Sequence, residues 1–288
     1  MKATNALDTL KRSRPEWSPW LAVVEEALAE AAGSRWDAFV PAMPAPERAT
    51  PVLSHSTIVI DESAVRGLLN RLVKIAARGG MPKLETLTGI TDRDIDLAGL
   101  FAASVCQDRA RISEVAATAG AEPDALHAVA GLVSLPFLQA CNRQWKRALP
   151  KNWAEGFCLL CGTWPALAET RGIERDRYLR CGRCGGEWQA HILRCGYCGT
   201  NDHEQLATLV PEKAGASVVE ACKRCHGYVK TFTRLQGCPP AAVMLEDLAS
   251  VDLDVAALAQ GYRRPAGGGA DIEVAVVATA PRFLSWNM

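Results

Sequence analysis

Net charge is missing from this chain: its 288 residues carry 32 Lys/Arg and 32 Asp/Glu. Without an excess of either sign there is no bulk electrostatic reason to bind DNA or an anionic membrane surface. Long apolar runs are missing as well. No 18 consecutive apolar residues occur, and the apolar stretch at 274–278 is far too short to span a bilayer. The N-terminal residues up to Arg14 include basic side chains, but Glu16 and an amphipathic pattern follow, with no apolar h-region and no small-residue cleavage site. A cytoplasmic protein without membrane insertion is the expectation. A Gly-rich phosphate loop is absent, and the five histidines, at 55, 127, 191, 203 and 226, are scattered. His191 and His203 therefore read as exposed residues rather than ligands, and no catalytic pocket is visible.

Cysteine is what the chain has in quantity. Eight of its eleven cysteines form four C-x2-C pairs: Cys158/Cys161, Cys181/Cys184, Cys195/Cys198 and Cys222/Cys225. Two sulfurs separated by two residues can face one ion from a single tight turn, and two such turns supply the four thiolates of a tetrahedral site. Eight ligands make two sites. The gaps of 19 residues between the first two pairs and 23 between the last two suit ribbons of short strands. Loop closure favours pairing of consecutive turns over interleaved ones. Gly162, Gly185 and Gly199 each follow their pair, and His226-Gly227 follows the fourth. A glycine there takes a positive φ without steric cost and brings backbone N–H groups close to sulfur.

An all-thiolate tetrahedral site holds iron or zinc, and spacing does not separate them. A closed four-cysteine site leaves no position for water, which argues against a zinc hydrolase and for a structural or one-electron role. Cys222-Lys223-Arg224-Cys225-His226 also matches the C-x-x-C-H of covalent haem attachment. That reading would orphan Cys195/Cys198. A thioredoxin-like dithiol occurs once, opening a helix, rather than four times in a row. An odd cysteine count without an export signal argues against a disulfide framework.

The rest of the chain sorts by periodicity. Residues 18–32 place Trp20, Leu21, Val24 and Leu28 on one helical face, with Ser18 and Pro19 as cap and first position. Prolines 41, 44, 46 and 51 make 39–59 an extended connection. From Asp61 a second helix buries Val65, Leu68, Leu69, Leu72, Val73 and Ala76 and ends at Gly79-Gly80. A long pattern over 92–119 is interrupted near Asp108, and another over 124–149 kinks at Pro136. Cys106 and Cys141 fall on such core stripes and behave as small hydrophobes. Pro150-Lys151-Asn152 reads as a linker. Tyr178, Trp188, Ile192 and Leu193 read as strand positions flanking the knuckles, as do 206–210, 218–220 and 228–232. A helix over 242–261, with Leu245, Leu248, Val251, Val255 and Leu258 as its stripe, is capped by Gly261. The region at 272–277 is either an added edge strand or an extension.

The expected architecture is therefore multidomain α plus small metal-bound β. An all-α helical domain spans 1–150, metal modules span 151–193 and 194–238, a C-terminal helix spans 239–262, and a tail spans 263–288. Modules this small bury too little apolar surface to offset chain entropy, so bound metal supplies the difference.

The stretches F-C-L-L-C-G, R-Y-L-R-C-G-R-C-G-G-E-W, R-C-G-Y-C-G and E-A-C-K-R-C-H-G-Y-V-K-T-F, followed by E-D-L-A-S-V-D-L-D, resemble the formate dehydrogenase accessory protein family, FdhE. The resemblance covers about 130–262 and rests on the four knuckles together with Trp188, Tyr228, Lys230 and the segment 247–254. It departs at Leu159, where the family commonly has proline, and at His226. The resemblance implies a helical domain joined to two rubredoxin-like modules that bind iron in two mononuclear sites of four cysteines each, with zinc as the alternative. It also implies a non-enzymatic maturation role in the cytoplasm, with the catalytic subunit of a respiratory formate dehydrogenase as partner; a homodimer is left open. Two other readings compete. A zinc-ribbon nucleic-acid-binding protein needs clustered cations with stacking aromatics, and the one cluster, 171–183, contains Glu174 and Asp176. A rubredoxin-type electron-transfer protein needs a catalytic pocket that the sequence does not reveal.

Overall fold

The computed structural model describes residues 3–210 and 216–279. It divides into two compact units that interleave along the chain. A knuckle unit comprises 3–13, Met43–Ser54 and Cys141–Ile272, and a helical unit comprises Arg14–Ala42, His55–Ala140 and residues from 273. The boundary expected at 150 is thus replaced by several crossings of the chain.

Helix α1 (Ala3–Ser13) belongs to the knuckle unit. The helical unit follows with α2 (Ser18–Ala32), strand β1 (Thr57–Asp61), α3 (Glu62–Arg78), α4 (Leu97–Cys106), α5 (Arg109–Thr118) and α6 (Pro123–Val133). Its last helix, α7 (Leu135–Trp145), runs on into the knuckle unit from Cys141. In α2, Ser18 is already helical and makes no side-chain cap bond, contrary to expectation. Asp61 caps α3 by accepting from the Ser63 amide at 2.8 Å, and all six apolar residues of the expected stripe are buried. The break near Asp108 has two local causes. Gln107 takes φ 60°, and the Asp108 carboxylate caps α5 by accepting from the Arg111 amide at 3.0 Å.

The single kinked helix expected over 124–149 is instead two helices separated at Ser134. Pro136 falls in the first turn of α7, where a missing N–H leaves no intrahelical bond unmade. The core of the helical unit is marked by Trp36, Phe101 and Phe137. Trp36 stacks on Phe101 at 5.9 Å, and Phe101 meets Phe137 edge-on at 5.6 Å. By length and composition the run Pro123–Trp145 is apolar enough to cross a membrane, although no 18 consecutive residues of it are apolar; 78% of its most apolar window is buried inside the protein. Burial at that level is what a core element shows.

The knuckle unit is built on one six-stranded sheet of order β4-β3-β2-β7-β6-β5. Its strands are β2 (Leu167–Arg171), β3 (Asp176–Arg180), β4 (Glu187–Gln189), β5 (Leu206–Leu209), β6 (Ser217–Cys222) and β7 (Tyr228–Arg234). Two antiparallel ribbons, β2–β3–β4 and β5–β6–β7, join where β2 pairs in parallel with β7, Leu167 opposite Lys230. The modules expected at 151–193 and 194–238 are therefore halves of one sheet. A buried charge explains why they fuse. Glu169 on β2 is fully buried, with Arg180 of β3 at 2.8 Å, Arg234 of β7 at 3.2 Å and the Cys238 amide at 2.9 Å. A carboxylate taken out of water needs such partners, and here both ribbons supply them. Tyr178 and Trp188 are strand residues as expected, whereas Ile192 and Leu193 lie in an exposed turn.

The helix expected over 239–262 divides at Ser250 into α8 (Val243–Ala249) and α9 (Val251–Ala259), and Gly261 follows with φ 82°. Leu245 is buried while Val255 and Leu258 are exposed, so only part of the expected stripe faces inward. Lys230 anchors both helices: fully buried, it holds Asp247 of α8 at 2.8 Å and Asp254 of α9 at 2.7 Å. Within the same unit α1 packs against α8. The expected tail is ordered through Ile272, and Ala275–Thr279 forms β8, parallel to β1 with Thr57 opposite Ala275. The helical unit is accordingly not all-α. The end of the expected tail, from 280, lies outside the described residues.

Candidate metal centres

The four C-x2-C turns meet in consecutive pairs. Cys158, Cys161, Cys181 and Cys184 form one group and Cys195, Cys198, Cys222 and Cys225 the other, with the sulfurs of each group within 4.8 Å of one another. In the first group the Cys158–Cys184 and Cys161–Cys181 sulfurs are 3.5 Å apart. In the second, Cys195–Cys225 and Cys198–Cys222 are 3.7 Å apart. A tetrahedral ion about 2.3 Å from each thiolate sets its sulfurs about 3.8 Å apart, so both groups have the size of a metal cage. None of the eight cysteines is in a disulfide.

The local chain explains how the turns hold this shape. Gly162, Gly185 and Gly199 take φ near 70°, and their amides donate to the carbonyls of Cys158, Cys181 and Cys195 at 2.9, 3.1 and 3.1 Å. The fourth turn puts His226 in the same left-handed region, at φ 56°. Amides then point at sulfur, with Gly186 to Cys184 at 3.3 Å, Tyr197 to Cys195 at 3.4 Å and Gly227 to Cys225 at 3.4 Å. Such donors stabilise thiolate charge. In the first group, hydrogen bonds from Cys158, Cys181 and Cys184 hold the Cys161 thiol well below its ordinary pKa, while burial raises Cys158. A cation held by these sulfurs would displace the remaining protons.

The two groups differ in cover. All four sulfur-bearing residues of the first are buried, whereas Cys198 and Cys225 of the second reach the surface. The first knuckle is enclosed by chain segments remote in sequence. Val52 and Leu53 donate their amides to the Leu159 and Leu160 carbonyls at 2.8 and 3.1 Å, and Gly269 and Ala270 donate to the Gly162 carbonyl at 2.8 and 3.0 Å. A side chain at Gly162 would strike the Ala270 carbonyl.

Outside the cages, burial raises the Cys141 thiol and pushes Cys238 up to about 12, so both stay neutral. Cys106 is half-buried. The histidines belong to neither group; His127 bonds Ser113, and His191 and His203 are exposed. Sequence reasoning passed over Thr163, whose hydroxyl lies 3.3 Å from Cys161 sulfur. It also passed over an aromatic series, Trp153, Phe157, Trp164 and Tyr197, that runs from one knuckle to the other at centroid spacings of 5.6, 6.3 and 5.2 Å. The signal that could have found it was the position of each ring within a few residues of a cysteine or of the linker.

Comparison with known proteins follows the same geography. Residues 193–268 match the family described as FdhE, C-terminal domain. The chain is 31% identical over 116 residues to a protein named FdhE homolog from Aquifex aeolicus, covering 39% of this chain and 40% of that one. It is 33% identical over 113 residues to another FdhE homolog, from Stutzerimonas stutzeri, covering 38% of this chain and 36% of that one. The chain thus spans about two fifths of the length of these curated relatives. The crystal structure of the FdhE protein from Pseudomonas aeruginosa has the same fold. It superposes with a TM-score of 0.58 at 20% identity, over 91% of this chain and 92% of that one.

Proposed function

We propose that the chain is a member of the FdhE family and, on that premise, an accessory protein for a formate dehydrogenase, required for that enzyme's activity without itself being an enzyme. Its partner is the catalytic subunit of a respiratory formate dehydrogenase, met in the cytoplasm. The observation that carries this reading is the pair of four-sulfur cages, each of a size to fit one tetrahedral ion, embedded in a sheet that presents them from one unit. Cys158, Cys161, Cys181 and Cys184 hold one ion, and Cys195, Cys198, Cys222 and Cys225 hold the other. Iron is the metal proposed, with zinc as the alternative; iron supplies a one-electron couple, zinc a purely structural charge. The chain's own residues do the rest. The knuckle amides stabilise the thiolates, and the Glu169 and Lys230 clusters lock the ribbons to each other and to α8 and α9.

The test is metal analysis with a visible spectrum on anaerobically purified protein, followed by binding to a purified formate dehydrogenase catalytic subunit. Two ions per chain, ferric-thiolate colour and complex formation are expected. Colourless protein with two zinc ions replaces the metal and keeps the scaffold, and absence of complex formation removes the accessory role.

A further inference from the structure

The open side of the second cage carries a group of side chains that the ligation of metal does not explain. Lys223 and Arg224 sit between the ligands Cys222 and Cys225. Arg194 bonds the Gly199 and Ala154 carbonyls at 3.3 and 3.2 Å, and Arg263 is fixed beside the fourth knuckle by its amide on the His226 carbonyl at 2.8 Å. Lys223 reaches only a carbonyl, that of Glu204, at 3.0 Å. None of these four cations has a carboxylate partner among the described residues, and all four are exposed. Asp202 and Glu204 lie on the same side, the Asp202 carboxylate accepting from the Glu204 amide at 3.0 Å. A divalent ion with four thiolates adds a charge of −2 at the centre. The face is therefore an anionic centre inside a cationic rim. Beside it Ile192 and Leu193 are 56% and 63% exposed.

We propose that this rim is a docking face for an acidic surface on a folded protein partner, the four cations pairing with carboxylates while Ile192 and Leu193 supply apolar contact. Arginine is enriched at protein interfaces, and three of the four cations are arginines. A nucleic acid fits less well. Stacking needs free aromatic faces, and Tyr197 and Tyr228 are turned inward, Tyr197 donating to the Tyr228 carbonyl and Tyr228 to Asp254, both at 2.8 Å, while the rim's other rings, His226 and Tyr262, lie against each other at 6.4 Å. The partner is the one proposed above, so this inference rests on that reading.

The experiment measures binding of the metal-loaded full chain to a purified formate dehydrogenase catalytic subunit, and to a dT20 oligonucleotide, at low and high salt. The variant Arg224→Glu with Arg263→Glu is expected to keep two ions per chain and to bind the subunit at least tenfold more weakly, and wild-type affinity is expected to fall with salt. Ile192→Asp with Leu193→Asp lies outside the knuckles and is expected to weaken binding as well, which decides the matter should the charge reversals disturb the cage. Binding by both variants at wild-type affinity overturns the docking face and leaves the accessory role standing. Failure of the wild type to bind the subunit removes both. Salt-sensitive binding of dT20 that the charge reversals abolish, with subunit binding unchanged, assigns the rim to nucleic acid instead.

Discussion

Cys158, Cys161, Cys181 and Cys184 are all buried, while two members of the second quartet, Cys198 and Cys225, reach solvent, although both cages are made from the same turn. Four residues of local sequence are enough to aim two sulfurs at a point. Whether that point is enclosed depends on segments far away in the chain: Pro51–Leu53 and Gly269–Ile272 cover Gly162 and Leu159–Leu160, and Pro240 lies against Gly185. At the second cage the atoms nearest a side chain at the equivalent glycine, Gly199, are those of the Arg194 side chain. The geometry that brings sulfurs together is thus a local property and protection a tertiary one.

The largest expected effect would separate the cages outright. Cys181→Ser removes one ion and, with it, a contribution on the scale of the 10–16 kcal/mol apparent for structural zinc in small peptides, so the knuckle unit should become protease-sensitive throughout. Cys198→Ser should lose the other ion while Cys158–Arg180 stays protected. Limited proteolysis with metal analysis reads both, and equal damage from the two would erase the distinction between them.

The next effect compares the buried charges. Glu169→Gln leaves Arg180 and Arg234 short of a buried counter-charge and should lower stability by roughly 3–5 kcal/mol, read as a shift in the urea midpoint. Burial by itself raises the Glu169 pKa, but the charge of Arg180, the Cys238 amide and the Arg171 hydrogen bond outweigh it and bring it to about 2. A depressed folded-state pKa means stability that is present above the unfolded value near 4.3 and lost as pH falls toward 2. Glu169→Gln should flatten that part of the pH profile; an unchanged profile would place the acid sensitivity elsewhere.

The smallest effect concerns the turns themselves. His226 occupies the conformation that glycine takes at the other three knuckles, so His226→Gly should stabilise by about 1 kcal/mol and Gly199→Ala should destabilise by a similar amount. Thermal midpoints of the metal-loaded variants check both signs.

Much of the metal centre is legible in the amino-acid sequence, because C-x2-C spacing and the following glycine are local chemistry; the eight cysteines come together in the consecutive pairs that short loops favour. Helix α3 is legible for the same reason, since its stripe and its Asp61 cap lie within one stretch. What was not legible required partners distant in sequence. β1 reads as part of a proline-rich connection until β8, more than 200 residues later, pairs with it. β2 has no strong alternation and contains Glu169, a residue that argues against a central strand until Arg180, Arg171 and Arg234 are brought around it. Ser134 divides a helix that apolar periodicity runs straight through, and Ile192 and Leu193, apolar enough to suggest a strand, turn out to be surface.

The roof of the first cage also sets an order of assembly. A ribosome delivers Cys158 through Cys184 well before Gly269 and Ala270 exist to seat on the Gly162 carbonyl, and β7 emerges between the two. An ion can reach those sulfurs freely while the polypeptide is unfinished, and only through a closed shell once it is complete. An ion held in the inner cage would in that sense be a birthmark of translation, whereas one in the outer cage would stay open to exchange throughout the protein's life.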